Sequence, residues 1–417
     1  MPALPPALHH RNFLLLWLGV LGSGFAANMV AVAVGWQVYA IHGSAFDLGL
    51  IGLAEFLPLL LLALPAGQLA DRLPRRPVVV VWVAAQAAVT TLLLVVTLHG
   101  ARALWAFLGL AFLTGAANSF GNPAARALLP ELVPTDLLES ALAVRSIAYQ
   151  VATIAGPALG GLLFAAHAAS VYAVAIGLYL AAGVCAIALP RGKRASIGAE
   201  RGLESLLGGI RFIRATPVLL GAISLDLFAV LLGGAVALLP LYAKSILHTG
   251  PIGLGLLRSM PALGALVGAV ILTRRPLGGR AGLKLLWIVG IFGACMIVFG
   301  LSRSIWLSAA ALAVSGFVDL FSMNIRQTIV ALATPNALLG RVNSVEGVFI
   351  SASNELGAFE SGAAAALLGA TPAVVAGGIA TIVLALVWPR VFPALARVDR
   401  LEELSPAVSA SPVRATA

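Results

Sequence analysis

About twelve apolar stretches, each long enough to cross a bilayer as a helix of roughly 20 residues, recur along this 417-residue chain with short polar turns between them. They run over 13–41, 46–70, 77–98, 102–124, 140–166, 168–190, 216–243, 252–274, 283–301, 304–328, 341–368 and 371–393. In hydrocarbon a backbone must satisfy its own hydrogen bonds, so such a pattern folds as membrane-spanning helices. Hydrophobic residues make up 60% of the chain and charged residues 10%, with a mean hydropathy of +1.02. A soluble globular domain carries about 25% charged residues. The expected fold class is an all-α membrane protein.

The basic residues set the orientation. Arg72, Arg75, Arg76, Arg126, Arg191, Lys193, Arg194, Arg211, Arg214, Arg274, Arg275, Arg280, Lys284, Arg341, Arg390, Arg397 and Arg400 fall on one side of these spans. Arg102, Lys244 and Arg303 fall on the other. Because loops rich in Lys and Arg stay in the cytoplasm, both termini are expected there, which requires an even number of spans. The net charge of +10 follows from the same rule. Its residues lie in short clusters without interleaved aromatics, which argues against nucleic acid as a partner. His9, His10 and Arg11 precede an apolar stretch that reaches Ile41, too long for the core of a signal peptide and expected to be an uncleaved first span. Cys185 and Cys295 each lie inside an apolar run, so neither a disulfide framework nor a metal site is expected.

The polar interruption at 191–215 divides the chain near its middle. Within it Leu203, Leu206, Leu207, Ile210 and Ile213 recur at helical spacing, with Glu204, Arg211 and Arg214 elsewhere on the wheel. This pattern fits either a short amphipathic helix on the cytoplasmic surface or a solvated linker. The expected organisation is an N-terminal six-helix half (1–190), this linker (191–215), a C-terminal six-helix half (216–393) and a cytoplasmic tail (394–417). The halves resemble each other. Asn118, Pro134, Leu137, Leu138, Gly156 and Gly161 are matched at one fixed offset by Asp319, Pro335, Leu338, Leu339, Gly357 and Gly362, and the same offset takes Gly67 to Gly268. Parallel repeats of this kind place a substrate site between the halves near the bilayer midplane.

The turn Gly67-Gln68-Leu69-Ala70-Asp71-Arg72-Leu73-Pro74-Arg75-Arg76 concentrates charge where a membrane helix must stop. Its Gly permits close backbone approach, its Asp suits a neighbouring helix N-terminus and its arginines anchor the turn in the cytoplasm. Gly67, Asp71, Arg72, Arg75 and Arg76 resemble the loop between helices two and three of major facilitator superfamily transporters. In the second half the corresponding turn, Thr273-Arg274-Arg275-Pro276, keeps basic residues and lacks the Asp. The resemblance implies a gating loop, with Asp71 facing the start of the eleventh helix near 340–343 when the cytoplasmic side is closed.

In the fifth span Gly156-Pro157-Ala158-Leu159-Gly160-Gly161 is similar to the Gly/Pro motif of the exporting, antiporter branches of that superfamily. Their pattern has a further Gly where this chain has Ala152. Ordinary helix packing is the plainer reading of the same residues. A finer similarity covers most of the chain. Thr334-Pro335-Asn336-Ala337-Leu338-Leu339-Gly340-Arg341-Val342-Asn343, the stretch from Ser353 to Gly362, and Ser224-Leu225-Asp226-Leu227-Phe228 resemble signatures of enterobactin-exporter-like proteins, the secretion-effector, drug and siderophore exporter branch. The resemblance implies efflux and names no substrate.

A charge at the centre of a spanning helix costs at least about 2.5–3.5 kcal/mol on insertion scales, so each one needs a cavity, a partner or a proton. Glu55, Asp226, Asp319, Glu355 and Glu360 are the acidic residues at depth, and Arg258 is the main basic one. The resemblance makes helices one, four, seven and ten the cavity lining. These carry Asn28, Asn118 with Asn122, Asp226, and Asp319 with Asn324. Helical rise separates Asp226 from Arg258 in depth by roughly 13 Å and brings Glu55 nearer to Arg258. Glu355 and Glu360, with Asn354 beside them, stand about 140° apart on their helix, so they share one cavity only if the helix bends, for instance at Gly357. Asp319, Glu355 and Glu360 are the expected proton carriers. Many proton-coupled exporters carry an Arg inside helix four, and the stretch 104–118 has none.

The function expected is secondary active export of a small organic compound, a drug-like molecule or siderophore, by a proton-coupled monomer in the cytoplasmic membrane. Neither a cofactor nor a metal is expected, and the bilayer is its other partner. No phosphate-binding Gly-x-x-x-x-Gly-Lys-Ser/Thr loop is present for an ATP-driven pump. His9, His10, His42, His99, His167 and His248 sit at helix ends or in loops, which gives an embedded enzyme no site. Uptake by the same fold and a non-transporting assembly role remain as alternatives.

Overall fold

The computed structural model describes residues 6–190, 203–274, 278–400 and Leu404, apart from the side chains at 6, 63–65, 67–72 and 203–206. The long helices are α1 (Arg11–His42), α2 (Ala45–Arg72), α3 (Arg75–Leu98), α4 (Leu104–Leu132), α5 (Leu138–Ala166), α6 (Ala168–Ala188), α7 (Pro217–Gly233), α8 (Gly250–Arg274), α9 (Ala281–Leu301), α10 (Ile305–Ala333), α11 (Asn336–Leu368) and α12 (Ala370–Val391). Eleven spans among the described residues are long and apolar enough to cross a membrane. The exception is α11. It has 33 residues but carries Arg341, Glu346, Glu355 and Glu360, the polar load of a helix turned toward protein on several sides.

Several boundaries differ from the sequence reading, and α4 runs on to Leu132 from an expected end at 124. Helix α10 runs on to Ala333 and α11 begins at Asn336, so residues expected near a membrane surface lie inside the bundle. The seventh span is also broken. Helix α7 stops at Gly233, turns through Gly234 (φ −76°, ψ 80°) and resumes as short helical segments to Ile246. The break frees backbone groups, and Ser361 of α11 answers one of them by donating its hydroxyl to the Gly234 carbonyl at 2.8 Å.

Successive helices run in opposite directions. Arg75, Arg76, Arg126, Arg274, Arg280, Lys284, Arg341 and Arg390 therefore gather at one end of the bundle, the basic face, and Arg102, Lys244 and Arg303 at the opposite face. Trp105, Trp287 and Trp306 are exposed close to helix ends, where indoles prefer to sit at membrane interfaces.

Apolar clusters show how the helices pack. Two are built from residues 7–189. A third unites α7, α9, α10, α11 and α12 with Ile213 of the short helix Leu203–Ala215. A fourth joins Val32, Tyr39, Ala45 and Leu48 to residues of 235–374 and so straddles the seam between the first six long helices and the last six. The repeat visible in the sequence returns as a repeated contact. Gly115 of α4 lets that helix press on α2, where a Cβ would lie 2.9 Å from Pro58 Cγ. Gly316 of α10 does the same on α8, where a Cβ would lie 1.9 Å from the Pro261 oxygen. The helix Leu203–Ala215 docks through Gly209, whose missing side chain leaves room for the Arg341 carbonyl.

Candidate functional site

At the opposite face the first six helices close on the last six through glycines. A Cβ at Gly161 of α5 would lie 2.4 Å from the Pro251 oxygen and 3.1 Å from Gly255 Cα, both in α8. A Cβ at Gly362 of α11 would lie 2.7 Å from Gly49 Cα in α2. Gly161 and Gly362 are partners in the sequence repeat, and each seats its helix on a helix of the other set. Polar contacts cross the same seam. Tyr39 Oη and Ser245 Oγ share a hydrogen bond of 2.9 Å, Lys244 Nζ donates to the Ala40 oxygen at 3.1 Å, and deeper in the bundle Gln150 Nε2 donates to the Ala262 oxygen at 2.6 Å.

The fifth-span motif is part of this closure. Gly156, Pro157, Gly160 and Gly161 are all buried. Gly156 and Gly160 receive α1 at Asn28 and Met29, while Pro157 and Gly161 receive α8 at Gly255. The departure at Ala152 has a counterpart across the contact. Ala152 faces Gly24 of α1, where a Cβ would meet the Ala152 Cβ at 2.9 Å.

Two networks of charge lie inside the bundle. The first is made by Glu55 of α2, Arg258 of α8 and Glu355 of α11, which interact electrostatically. Glu355 lies over Gly52, since a Cβ there would stand 3.4 Å from its Oε2, and Gly52 is one turn from Glu55. All three are half-buried. At ~1.5 Å of rise per residue they stand roughly 12–20 Å in from the opposite face. Gly115 fixes the α2 backbone here, because a Cβ on it would collide with the Glu55 oxygen.

The second network belongs to the last six helices. Asp226 of α7 and Arg326 of α10 form an ion pair of 2.7 Å, Oδ2 to Nη1. Both are buried, at 7% and 5% exposure. Asp319 of α10 and Glu346 of α11 interact with this pair. Asp226, Arg326 and Glu346 stand roughly 10–15 Å from the basic face and Asp319 near mid-depth, about 21 Å from either end of α10. Asp319 is exposed yet lies on the same stripe of α10 as buried Arg326, two turns away. Arg326 is an arginine inside the bundle that the sequence reading missed. It lies two residues from the span end expected at 328, where an Arg passes for an interfacial residue. Glu346 was missed for the same reason at the start of the eleventh span.

The remaining expected residues divide. Asn118 is turned away from a cavity, because its Oδ1 accepts from Trp82 Nε1 at 3.0 Å and Gln86 Nε2 at 2.7 Å, both on α3. Asn28 and Asn354 donate to carbonyls of their own helices, Gly24 and Ile350. Asn122 is exposed and Asn324 half-buried. Helix α11 is continuous past Gly357, which serves instead to admit the α7 backbone at Val230 and Leu231. Glu360 is half-buried beside Ser361. Arg75 pairs with Glu131 of α4 at 2.9 Å, and Arg76 donates to the Ala186 and Ile187 carbonyls at the end of α6. Both brace the first six helices at the basic face. The side chains of Gly67, Asp71 and Arg72, and with them the Asp71 contact expected at 340–343, lie outside the described residues. A recess of about 590 Å³ on the opposite face, lined by Gly43, Ser44, Ala365 and Thr371 among others, holds none of the candidate charges.

Residues 3–412 match the family model for transmembrane secretion effectors. The chain belongs to that family of major facilitator transporters. It is similar to the enterobactin exporter EntS of Escherichia coli O139:H28 (strain E24377A / ETEC), with 26% identity over 409 residues and 96% of each chain covered. EntS of Escherichia fergusonii matches to the same extent. Among solved structures, a bacterial homologue of the human lysosomal transporter Spinster in an inward-facing, unoccupied conformation superposes with a TM-score of 0.70 at 14% identity, covering 95% of this chain and 98% of that one. The nucleoside transporter NupG does so with a TM-score of 0.68 at 14% identity, covering 93% and 99%. These structures share the fold. The transmembrane secretion effector is therefore a multi-pass membrane transporter, and its family and fold are those of transporters rather than enzymes.

Proposed function

We propose that this transmembrane secretion effector is a proton-driven exporter of a small organic compound, working by alternating access in the cytoplasmic membrane, with the basic face and both termini in the cytoplasm. On this reading residues 1–190 and 216–393 are the two moving halves, and the structure is the state closed at the outer face. The observation that carries the proposal is the Glu55–Arg258–Glu355 network. One carboxylate comes from the first half, and the Arg and the other carboxylate from the second. When α2 parts from α8 and α11, Glu55 must leave Arg258 inside a low-dielectric bundle, where an unpaired charge is costly. A proton on a carboxylate removes that cost, so halves that separate at the outer face take up a proton there. Asp319 at mid-depth and the Asp226–Arg326 pair toward the basic face continue the route to the cytoplasm. Export rather than uptake is supported by the name of the enterobactin exporter that the chain is similar to.

The test is efflux from proteoliposomes under an imposed pH gradient, with ethidium and enterobactin as probes. Glu55→Gln, Glu355→Gln, Glu360→Gln and Asp319→Asn are assayed separately, the last with enterobactin only. A carrier variant loses gradient-driven efflux and keeps downhill exchange. Full pH-driven efflux in all four would place the coupling elsewhere and overturn the proposal.

A further inference from the structure

Three carboxylates and one guanidinium make up the second network: Asp226, Asp319 and Glu346 against Arg326. If all are ionised, two negative charges lack a partner in the middle of a membrane protein, where an uncompensated charge is expensive. Asp226 already has its cation at 2.7 Å. Glu346 is buried at 8% exposure. Asp319 alone of the three is exposed, near mid-depth on the stripe of α10 that carries Arg326. Arg326, two turns along the same stripe, interacts with Asp319. It is 5% exposed, gives Asp226 one hydrogen bond, and its Nε–H reaches no acceptor. A buried charged donor left in that state is destabilising until an acceptor reaches it. The site therefore asks for positive charge at Asp319 and for an acceptor about two helical turns away, toward Arg326. Arg126 and Arg145, which interact with each other, lie roughly 10 Å from the basic-face ends of α4 and α5, the depth of Arg326, and Asp319 stands about 10 Å deeper than any of the three.

We propose that the transported compounds are organic cations carrying a hydrogen-bond acceptor several ångströms from the charged nitrogen, with Asp319 as counter-ion and Arg326 as the donor to the acceptor. This rests on the exporter reading above and names its substrate class.

Rhodamine 6G and fluorescein ethyl ester test it, since they share a xanthene ring and an ethyl ester and differ in sign of charge at pH 8. Binding to the purified full-length protein in detergent is read by fluorescence anisotropy. Rhodamine 6G should bind at least tenfold more tightly than the anion. Asp319→Asn should abolish that preference, Asp319→Glu should keep it, and Arg326→Lys, which retains the charge and loses Nε, should weaken rhodamine binding at least threefold. If Asp319→Asn does not fold, the wild-type preference and its retention in Asp319→Glu decide. Equal binding of the two dyes, or a preference that survives Asp319→Asn, overturns the proposal. The exporter reading fails separately. Gradient-driven efflux of enterobactin without cation preference sinks only the substrate class, and Asp319-dependent rhodamine binding without any gradient-driven efflux sinks only the proton-driven export.

Discussion

Replacing Gly161 by Ala should open the outer face of the transporter. In the closed arrangement the new Cβ would stand 2.4 Å from the Pro251 oxygen, whereas a methyl group needs about 3.4 Å, so α5 and α8 must separate by roughly 1 Å or bend. Forcing a methyl into a fitted contact of this kind costs about 1–3 kcal/mol. The cost arises only while α5 and α8 touch at this point. The gain in helix propensity from Gly to Ala, up to about 1 kcal/mol, is present in both states and cancels. The equilibrium between closed and open outer faces should therefore move about 5- to 150-fold toward open. Spin labels on Ser44→Cys and Thr371→Cys, one in the α1–α2 turn and one at the start of α12, both lining the recess on the face opposite the basic one, report this in a background with Cys185 and Cys295 replaced. The long-distance population should rise in Gly161→Ala and in Gly362→Ala, whose Cβ would stand 2.7 Å from Gly49 Cα. Gly177→Ala in α6, with no atom within 4 Å of the added carbon, is the control and should leave the distribution unchanged. A wild-type distance distribution in Gly161→Ala at normal membrane abundance would refute the idea that this contact holds the outer face shut.

Two further outcomes follow from the polar contacts. Asp226→Asn removes the carboxylate bonded to Arg326 and leaves only the other carboxylates of the network, Asp319 and Glu346, to offset its charge; it should lower stability by about 1.5–3 kcal/mol, read as earlier thermal unfolding in detergent, and a single variant as stable as wild type would contradict the ion pair. Asn118→Ala removes the acceptor shared by Trp82 and Gln86 and should cost about 1–3 kcal/mol of stability with dye affinity unchanged, whereas lost affinity at full stability would return Asn118 to the cavity.

Much of this architecture is legible in the one-dimensional pattern, because a bilayer allows so few solutions. Apolar length announces the spans, and the offset that carries Asn118 to Asp319 and Gly161 to Gly362 announces that one packing scheme is used twice. Depth is also readable, since helical rise is constant, and that alone separates Asp226 from Arg258. Azimuth and partnership are not, because they depend on which helix lies beside which. Arg326 reads as an interfacial residue until α10 is seen to continue to Ala333 and to lie against α7, where Asp226 meets it at 2.7 Å. Asn118 and Asp319 occupy matching positions in the repeat, yet α3 offers Trp82 and Gln86 to the Asn while Asp319 is left open. The glycines show the same division. Their number is plain in the sequence, but only the packed bundle decides that Gly161 and Gly362 close the seam and that Gly24 makes room for Ala152, because a missing side chain has meaning only beside the atoms that fill its place.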